Sequence, residues 1–253
     1  MSAIDLYNHP SAQYAARVER AIALLREVAS THPRLTQASS LGVEDVVVTH
    51  LIHLAGIRSR VFVLETGRLH DETLALIPQI EQRYGLSIDR YKPVEEAVVH
   101  FVQKNGDDAM FRSIGLRKAC CDIRKMEPLG RALQGVDGWI TGLRREQSNA
   151  RAEAAEVIQE PGRVKISPLV DWTWGDVWHF VAEHRLAYNP LHDQFFPSIG
   201  CEPCTRAISV GEDFRAGRWW WEQDNAKECG LHVQPAADSV SALPNSRTER
   251  NTA

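Results

Sequence analysis

Cysteine is the residue type in this chain whose spacing carries the most chemical information. Four of the five cysteines form two tight pairs, Cys120-Cys121 and Cys201-Glu202-Pro203-Cys204. The fifth stands alone within Lys227-Glu228-Cys229-Gly230-Leu231-His232. Soft thiolates select zinc or an iron–sulfur centre. Buried cysteines also occur singly as small hydrophobes, but two close pairs fit that reading poorly. Tetrahedral zinc usually sits between C-x-x-C knuckles, which adjacent cysteines cannot form. A [4Fe–4S] centre spreads four iron corners and more easily accepts neighbouring residues as separate ligands. Cys120, Cys121, Cys201 and Cys204 are therefore expected to hold a [4Fe–4S] cluster. Its anionic field favours cations, and Arg124 and Lys125 are the closest in sequence; a solvated helix face is the alternative for that pair. Cys229 is left over to react, with Lys227 and His232 nearby to favour its thiolate. An incidental surface cysteine is the competing reading.

Other residues are suited to anions. The run Ser39-Ser40-Leu41-Gly42 follows a short apolar segment and precedes a long one. Its amides, hydroxyls and the positive end of the following helix could cradle phosphate or sulfate, or it could be an ordinary helix cap. Glu65-Thr66-Gly67 closes the next strand and by itself signals only a turn. Arg215 and Arg218, three apart, could share a helical face and present planar forks to phosphate or sulfate oxygens, with Arg151 as a third; all three could instead be surface ion-pairing residues. Trp219-Trp220-Trp221 reads as the packing of an apolar lid, with a stacking surface for a base or for the cluster as the alternative. His50 and His53 read as core or rim residues.

The elements that must position these groups alternate. Apolar spacing predicts a helix over 12–29, a strand over 35–38, a buried helix over 43–54 and a strand over 60–64. A helix over 69–84 containing Pro78 and a strand over 87–91 follow. Segments 94–102, 121–133, 139–141, 164–166 and 174–184 continue the alternation. Such a series implies an α/β fold with a mostly parallel sheet flanked by helices, in which ligands sit beyond the carboxyl ends of the strands.

The chain has 253 residues, is 43% hydrophobic and carries a net charge of −4. That length supports a substantial core, and the charge gives no general attraction to nucleic acid or anionic membrane. No run of eighteen apolar residues occurs and residues 1–10 lack a secretory pattern, so a cytoplasmic protein is expected. An odd cysteine count in a reducing compartment argues for metal ligation or catalysis rather than a disulfide framework. Beyond residue 233 the composition turns to Pro, Ala, Ser, Asn and Thr, which predicts disorder over 233–253. The rest, 1–232, reads as a single domain with a mobile segment at about 222–232. A homo-oligomer is left open.

Taken together, Lys118-Ala119-Cys120-Cys121, Ile199-Gly200-Cys201-Glu202-Pro203-Cys204-Thr205-Arg206, Gly217-Arg218-Trp219-Trp220-Trp221-Glu222 and Lys227-Glu228-Cys229-Gly230-Leu231-His232 closely resemble the assimilatory adenylyl-sulfate reductases of bacteria. The likeness runs from about residue 39 to 232. It implies an adenine-nucleotide α-hydrolase-like fold and a thioredoxin-dependent reduction of adenosine 5′-phosphosulfate to sulfite and AMP, in sulfate assimilation for cysteine biosynthesis. The paired cysteines resemble the version of the family that carries a [4Fe–4S] cluster. By the same resemblance Cys229 would be the nucleophile that becomes S-sulfocysteine. Lys125, Arg151, Arg215 and Arg218 match positions that contact the phosphosulfate. Ser39 and Ser40 match the modified pyrophosphate-binding loop, and Leu64, Thr66 and Gly67 the edge of the adenosine pocket. Residues 149–162 and the stretch beyond 233 depart from the family's pattern.

Overall fold

The structure is a computed structural model that describes residues 1–209 and 211–222. Cys229 and the expected disordered stretch 233–253 lie outside the described residues, as does most of the segment 222–232. An amphipathic helix, α1 (Ala3–Tyr7), and a longer one, α2 (Tyr14–Thr31), lead into the domain; α2 buries Ala21, Leu24, Leu25 and Val28. The strand β1 (Leu35–Ser39) and the helix α3 (Val43–Ala55) follow, then β2 (Arg60–Leu64). Helix α3 is buried along almost its whole length, because it lies between the sheet and a further helix, α9 (Trp174–Glu183).

Six strands form one sheet in the order β3-β2-β1-β4-β6-β5, with β3 (Ile88–Tyr91), β4 (Gly138–Ile140), β5 (Val157–Glu160) and β6 (Arg163–Ile166) completing it. All pairings are parallel except β5 with β6. The chain lays β2 and β3 on one side of β1, then crosses to place β4 on the other. The carboxyl ends of β1 and β4 thus flank a topological switch point, where an open α/β sheet leaves a crevice for a ligand. Edge strand β5, part-exposed and mixed in polarity, escaped the sequence pattern because it has no fully buried face.

Three expected elements take a different form. The helix over 69–84 is two, α4 (Asp71–Leu74) and α5 (Leu76–Tyr84). Pro78 has no N–H for the Leu74 carbonyl and its ring crowds that group, so the ladder breaks one turn earlier. After α6 (Glu95–Asn105), the helix expected over 121–133 begins upstream as α7 (Ile114–Cys121), where the Ser113 hydroxyl accepts from the Leu116 N–H. It widens into one π-helical turn at Asp122–Met126 and continues as α8 (Glu127–Ala132). Pro128 removes a donor to the Arg124 carbonyl, which accounts for the looser turn. Finally, Arg215 and Arg218 do not share a helix: residues 211–222 run as turns, with the Arg218 N–H donating to the Arg215 carbonyl at 2.9 Å.

Candidate active site

A cavity of about 190 Å³ lies at the carboxyl ends of the strands. One wall comes from Ser39, Ser40 and Gly42 after β1, and from Leu64 and Thr66 after β2. Thr141, Gly142 and Gln147 after β4 form a second wall; Lys125, Arg151, Arg215 and Arg218 bring four cationic side chains to the same space. Sequence-predicted Ser39, Ser40, Leu64, Thr66, Lys125, Arg151, Arg215 and Arg218 are therefore brought together. Gly67, also predicted, is not among the residues that line this cavity; a methyl group on it would lie 3.3 Å from an Arg124 guanidinium nitrogen.

The loop after β1 is held by a residue that the sequence reading did not single out. The Asp45 carboxylate accepts from both the N–H and the hydroxyl of Ser40, each at 2.6 Å, and from the Gly142 N–H at 2.9 Å. Ser39 Oγ accepts from the Leu41 N–H. This ties the loops after β1 and β4 into one lip. A methyl group on Gly142 would meet Asp45 Oδ1 at 2.7 Å, so only glycine permits that approach. Burial lifts the Asp45 carboxyl to about 6, with the Ser40 and Gly142 hydrogen bonds opposing and Glu44 adding to the rise. Behind the lip, Glu44 accepts from the fully buried Arg144 and from the Gln147 amide, while Gln147 in turn accepts from Arg151. Asp45 gave no sequence signal beyond its charge, because only the fold shows that it is buried.

A second, narrower cavity adjoins the first. Cys120, Cys121, Cys201 and Cys204 all line it, together with Arg68, Arg117, Arg124, Lys125 and Arg218. None of the four is in a disulfide. Cys120 and Cys121 arrive at the end of α7, and Cys201 and Cys204 on a tight turn in which the Cys204 N–H donates to the Cys201 carbonyl. No group of three or more His, Cys, Asp or Glu side chains among the described residues is arranged to hold a metal ion. The cations act on the sulfurs unequally. Burial opposes a Cys201 thiolate, but Lys125, the Thr66 hydroxyl, Arg218 and Arg124 outweigh it and hold this thiol below its ordinary value. Burial and the neighbouring Cys201 instead push Cys204 up to about 12, and burial raises Cys120 despite Arg124.

The two cavities share a wall made of Lys125, Arg218 and Trp219. Thr66 spans it as well, with its hydroxyl 3.2 Å from Cys201 Sγ and its carbonyl accepting from Arg124. Beyond that wall, Arg117 makes a two-pronged ion pair with Glu222 at 2.9 Å, both side chains 3% exposed. Neither residue was flagged from sequence, where each reads as an ordinary charge.

A model of the phosphoadenosine phosphosulfate reductase domain matches residues 34–207, which spans β1 through the paired cysteines Cys201 and Cys204. The chain belongs to this family. It is 50% identical over 223 residues to the adenosine 5′-phosphosulfate reductase of Burkholderia cepacia, covering 87% of this chain and 89% of that one. To the enzyme of that name from Allochromatium vinosum it is 49% identical, over 94% of each. Among solved structures, the phosphoadenylyl-sulfate reductase of Candida auris in complex with phosphate superposes with a TM-score of 0.61 at 26% identity, over 79% of this chain and 94% of the other. Yeast FAD synthetase, at 13% identity and a TM-score of 0.52, shares the fold alone, over 81% of this chain and 73% of that one. The family's fold is thus the adenine-nucleotide α-hydrolase-like arrangement expected above. Among the described residues no helix is long and apolar enough to cross a membrane.

Proposed function

We propose that this chain reduces adenosine 5′-phosphosulfate to sulfite and AMP with electrons from a thioredoxin dithiol, in sulfate assimilation leading to cysteine. The observation that carries the reading is the likeness, at about half identity over nearly the whole chain, to enzymes named for that substrate. The pocket supports it: a crevice at the switch point accepts an adenine nucleotide, and four cations converge where phosphosulfate oxygens would lie.

In the first step the Cys229 thiolate attacks the sulfonyl sulfur. A sulfur–sulfur bond forms, the bond from sulfur to the bridging oxygen breaks, and AMP leaves. Negative charge grows on the bridging and phosphate oxygens, and Lys125, Arg151, Arg215 and Arg218 are the groups to stabilise it. A thioredoxin thiolate then attacks Cys229 Sγ, sulfite departs, and the second thioredoxin thiol resolves the mixed disulfide. Sulfur gains two electrons overall and the dithiol loses two. The chemistry needs free thiols, which suits a cytoplasmic setting.

Cys120, Cys121, Cys201 and Cys204 would hold the [4Fe–4S] cluster. Four thiols lining one cavity beside five cations suit an anionic multi-iron centre, and the adjacent Cys120 and Cys121 cannot form the C-x-x-C knuckle that usually holds zinc. When bound, the cluster would supply a negative centre that orients Lys125 and tunes the field across the shared wall.

Mass spectrometry of the protein mixed with adenosine 5′-phosphosulfate and no reductant is expected to show a sulfo adduct on Cys229. Cys229→Ser is expected to abolish both adduct and sulfite, and sustained turnover by that variant would refute the nucleophile. Iron and acid-labile sulfide are expected in anaerobically purified protein, and zinc without sulfide would refute the cluster. A substrate bearing a 3′-phosphate is the second reading, favoured by the name of the Candida auris structure. Parallel initial rates with the two nucleotides decide between them.

A further inference from the structure

Trp219 occupies an unusual position. Its side chain is 1% exposed, it lines both cavities, and its backbone has a φ of +44°, a region that side chains other than glycine rarely adopt. Three guanidinium carbons lie close to its ring centroid: Arg117 at 4.6 Å, Arg218 at 4.7 Å and Arg215 at 5.9 Å. Two of these, Arg215 and Arg218, are the cations placed in the phosphosulfate pocket. Cations that crowd one space repel each other, and the negative face of an indole offsets that repulsion while fixing where a flat guanidinium can lie.

The surroundings point the same way. The Trp219 backbone N–H donates to the Cys204 carbonyl at 3.2 Å, and Thr205 bridges to Arg218, so the backbone that carries the indole is tied to the turn that holds Cys201 and Cys204. Arg218 is itself 6% exposed and its Nε is buried with no hydrogen-bond partner among the described residues. A donor left in that state is suited to an acceptor brought by a ligand.

We propose that Trp219 is a positioning residue for the reaction: its indole face sets Arg215 and Arg218 in the orientation that receives the phosphosulfate, and its backbone registers them against the cysteine turn. Left-handed backbone at a site of this kind is where strain is retained for a purpose. The inference rests on the substrate reading given above. It assigns to Trp219 no contact with the reacting atoms.

The test measures binding in the Cys229→Ser background, where no turnover can occur, with adenosine 5′-phosphosulfate and adenosine as the two probes. Trp219→Leu is expected to weaken the phosphosulfate nucleotide by about 10- to 100-fold, the equivalent of losing two cation–ring placements, with adenosine affinity changed less than about twofold. Trp219→Phe, which keeps a ring, is expected to recover most of the loss. Equal weakening of both probes, or unchanged binding of the phosphosulfate nucleotide in Trp219→Leu, would overturn the proposal. If Trp219→Leu fails to fold, Trp219→Phe alone decides: a rise of a few fold confined to the phosphosulfate probe supports it, and no selective change refutes it. Failure of the Trp219-containing Cys229→Ser protein to bind adenosine 5′-phosphosulfate would instead refute the substrate reading.

Discussion

The two adjoining cavities are built on different physical plans. In the larger of the two, the loops after β1 and β4 are stitched together by Asp45, Ser40 and Gly142, so its polar lip is fixed by hydrogen bonds within the protein. In the cysteine cavity the sulfurs form no disulfide and are surrounded by cations whose fields pull Cys201 down while Cys204 stays high. The first is preorganised by hydrogen bonds, and the second is poised by charge. Lys125, Arg218 and Trp219 belong to both, so a negative group on either side of the wall acts on the same cations.

Four substitutions break or sharpen this contrast. Arg117→Met strands Glu222 as a buried charge on the cysteine side and is expected to cost about 3–5 kcal/mol of stability by chemical denaturation. The double variant Arg117→Met/Glu222→Met should recover most of that, and no recovery would mean that the pair is not the cause. Lys125→Gln removes a cation from the shared wall and is expected to lower kcat/KM by about 10²- to 10³-fold, the scale seen when a group that stabilises developing charge is removed. A similar loss confined to substrate affinity, with kcat intact, would place Lys125 in the nucleotide pocket only.

Asp45 tests the preorganised lip. Its folded pKa of about 6 lies above the unfolded value near 3.9, so the native state binds more protons between the two. Stability is therefore expected to fall as pH rises from about 4 to about 6, by roughly 3 kcal/mol at most, and to level off above that. Asp45→Asn should remove this component, visible as a difference between the two proteins' stability curves; parallel curves would count against it. The smallest effect belongs to Gly200→Ala. An added methyl would lie 2.3 Å from an Arg218 guanidinium nitrogen, the movable end of a side chain, so the fold should survive while Arg218 shifts. We expect roughly a 10-fold rise in KM, about 1.4 kcal/mol, with an unchanged melting temperature.

Much of this was legible in the chain itself. Val-rich runs marked β2 and α3 closely because burial on two sides leaves a strong apolar signal. The paired cysteines announced a shared site across 80 residues of sequence, and the structure does bring them to one cavity. The edge strand β5 and the π-helical turn were not legible, since one has no buried face and the other depends on how Pro128 meets the turn before it. Asp45, Arg117 and Glu222 were missed for one common reason. A charged residue looks the same in sequence whether it faces water or the interior, and its burial is a property of the neighbours.

Residue types alone determined which chemistry was on offer: thiols in pairs, cations enough for an oxyanion, and alternating elements that put loops at one end of a parallel sheet. Only the tertiary structure decided that the thiols and the cation-lined pocket share a wall, that an indole stands among three guanidiniums, and that one carboxylate joins two loops. Local pattern carries periodicity and composition, which act over a few residues. Field strength, burial and the contact of side chains a hundred positions apart arise only once the chain has closed on itself.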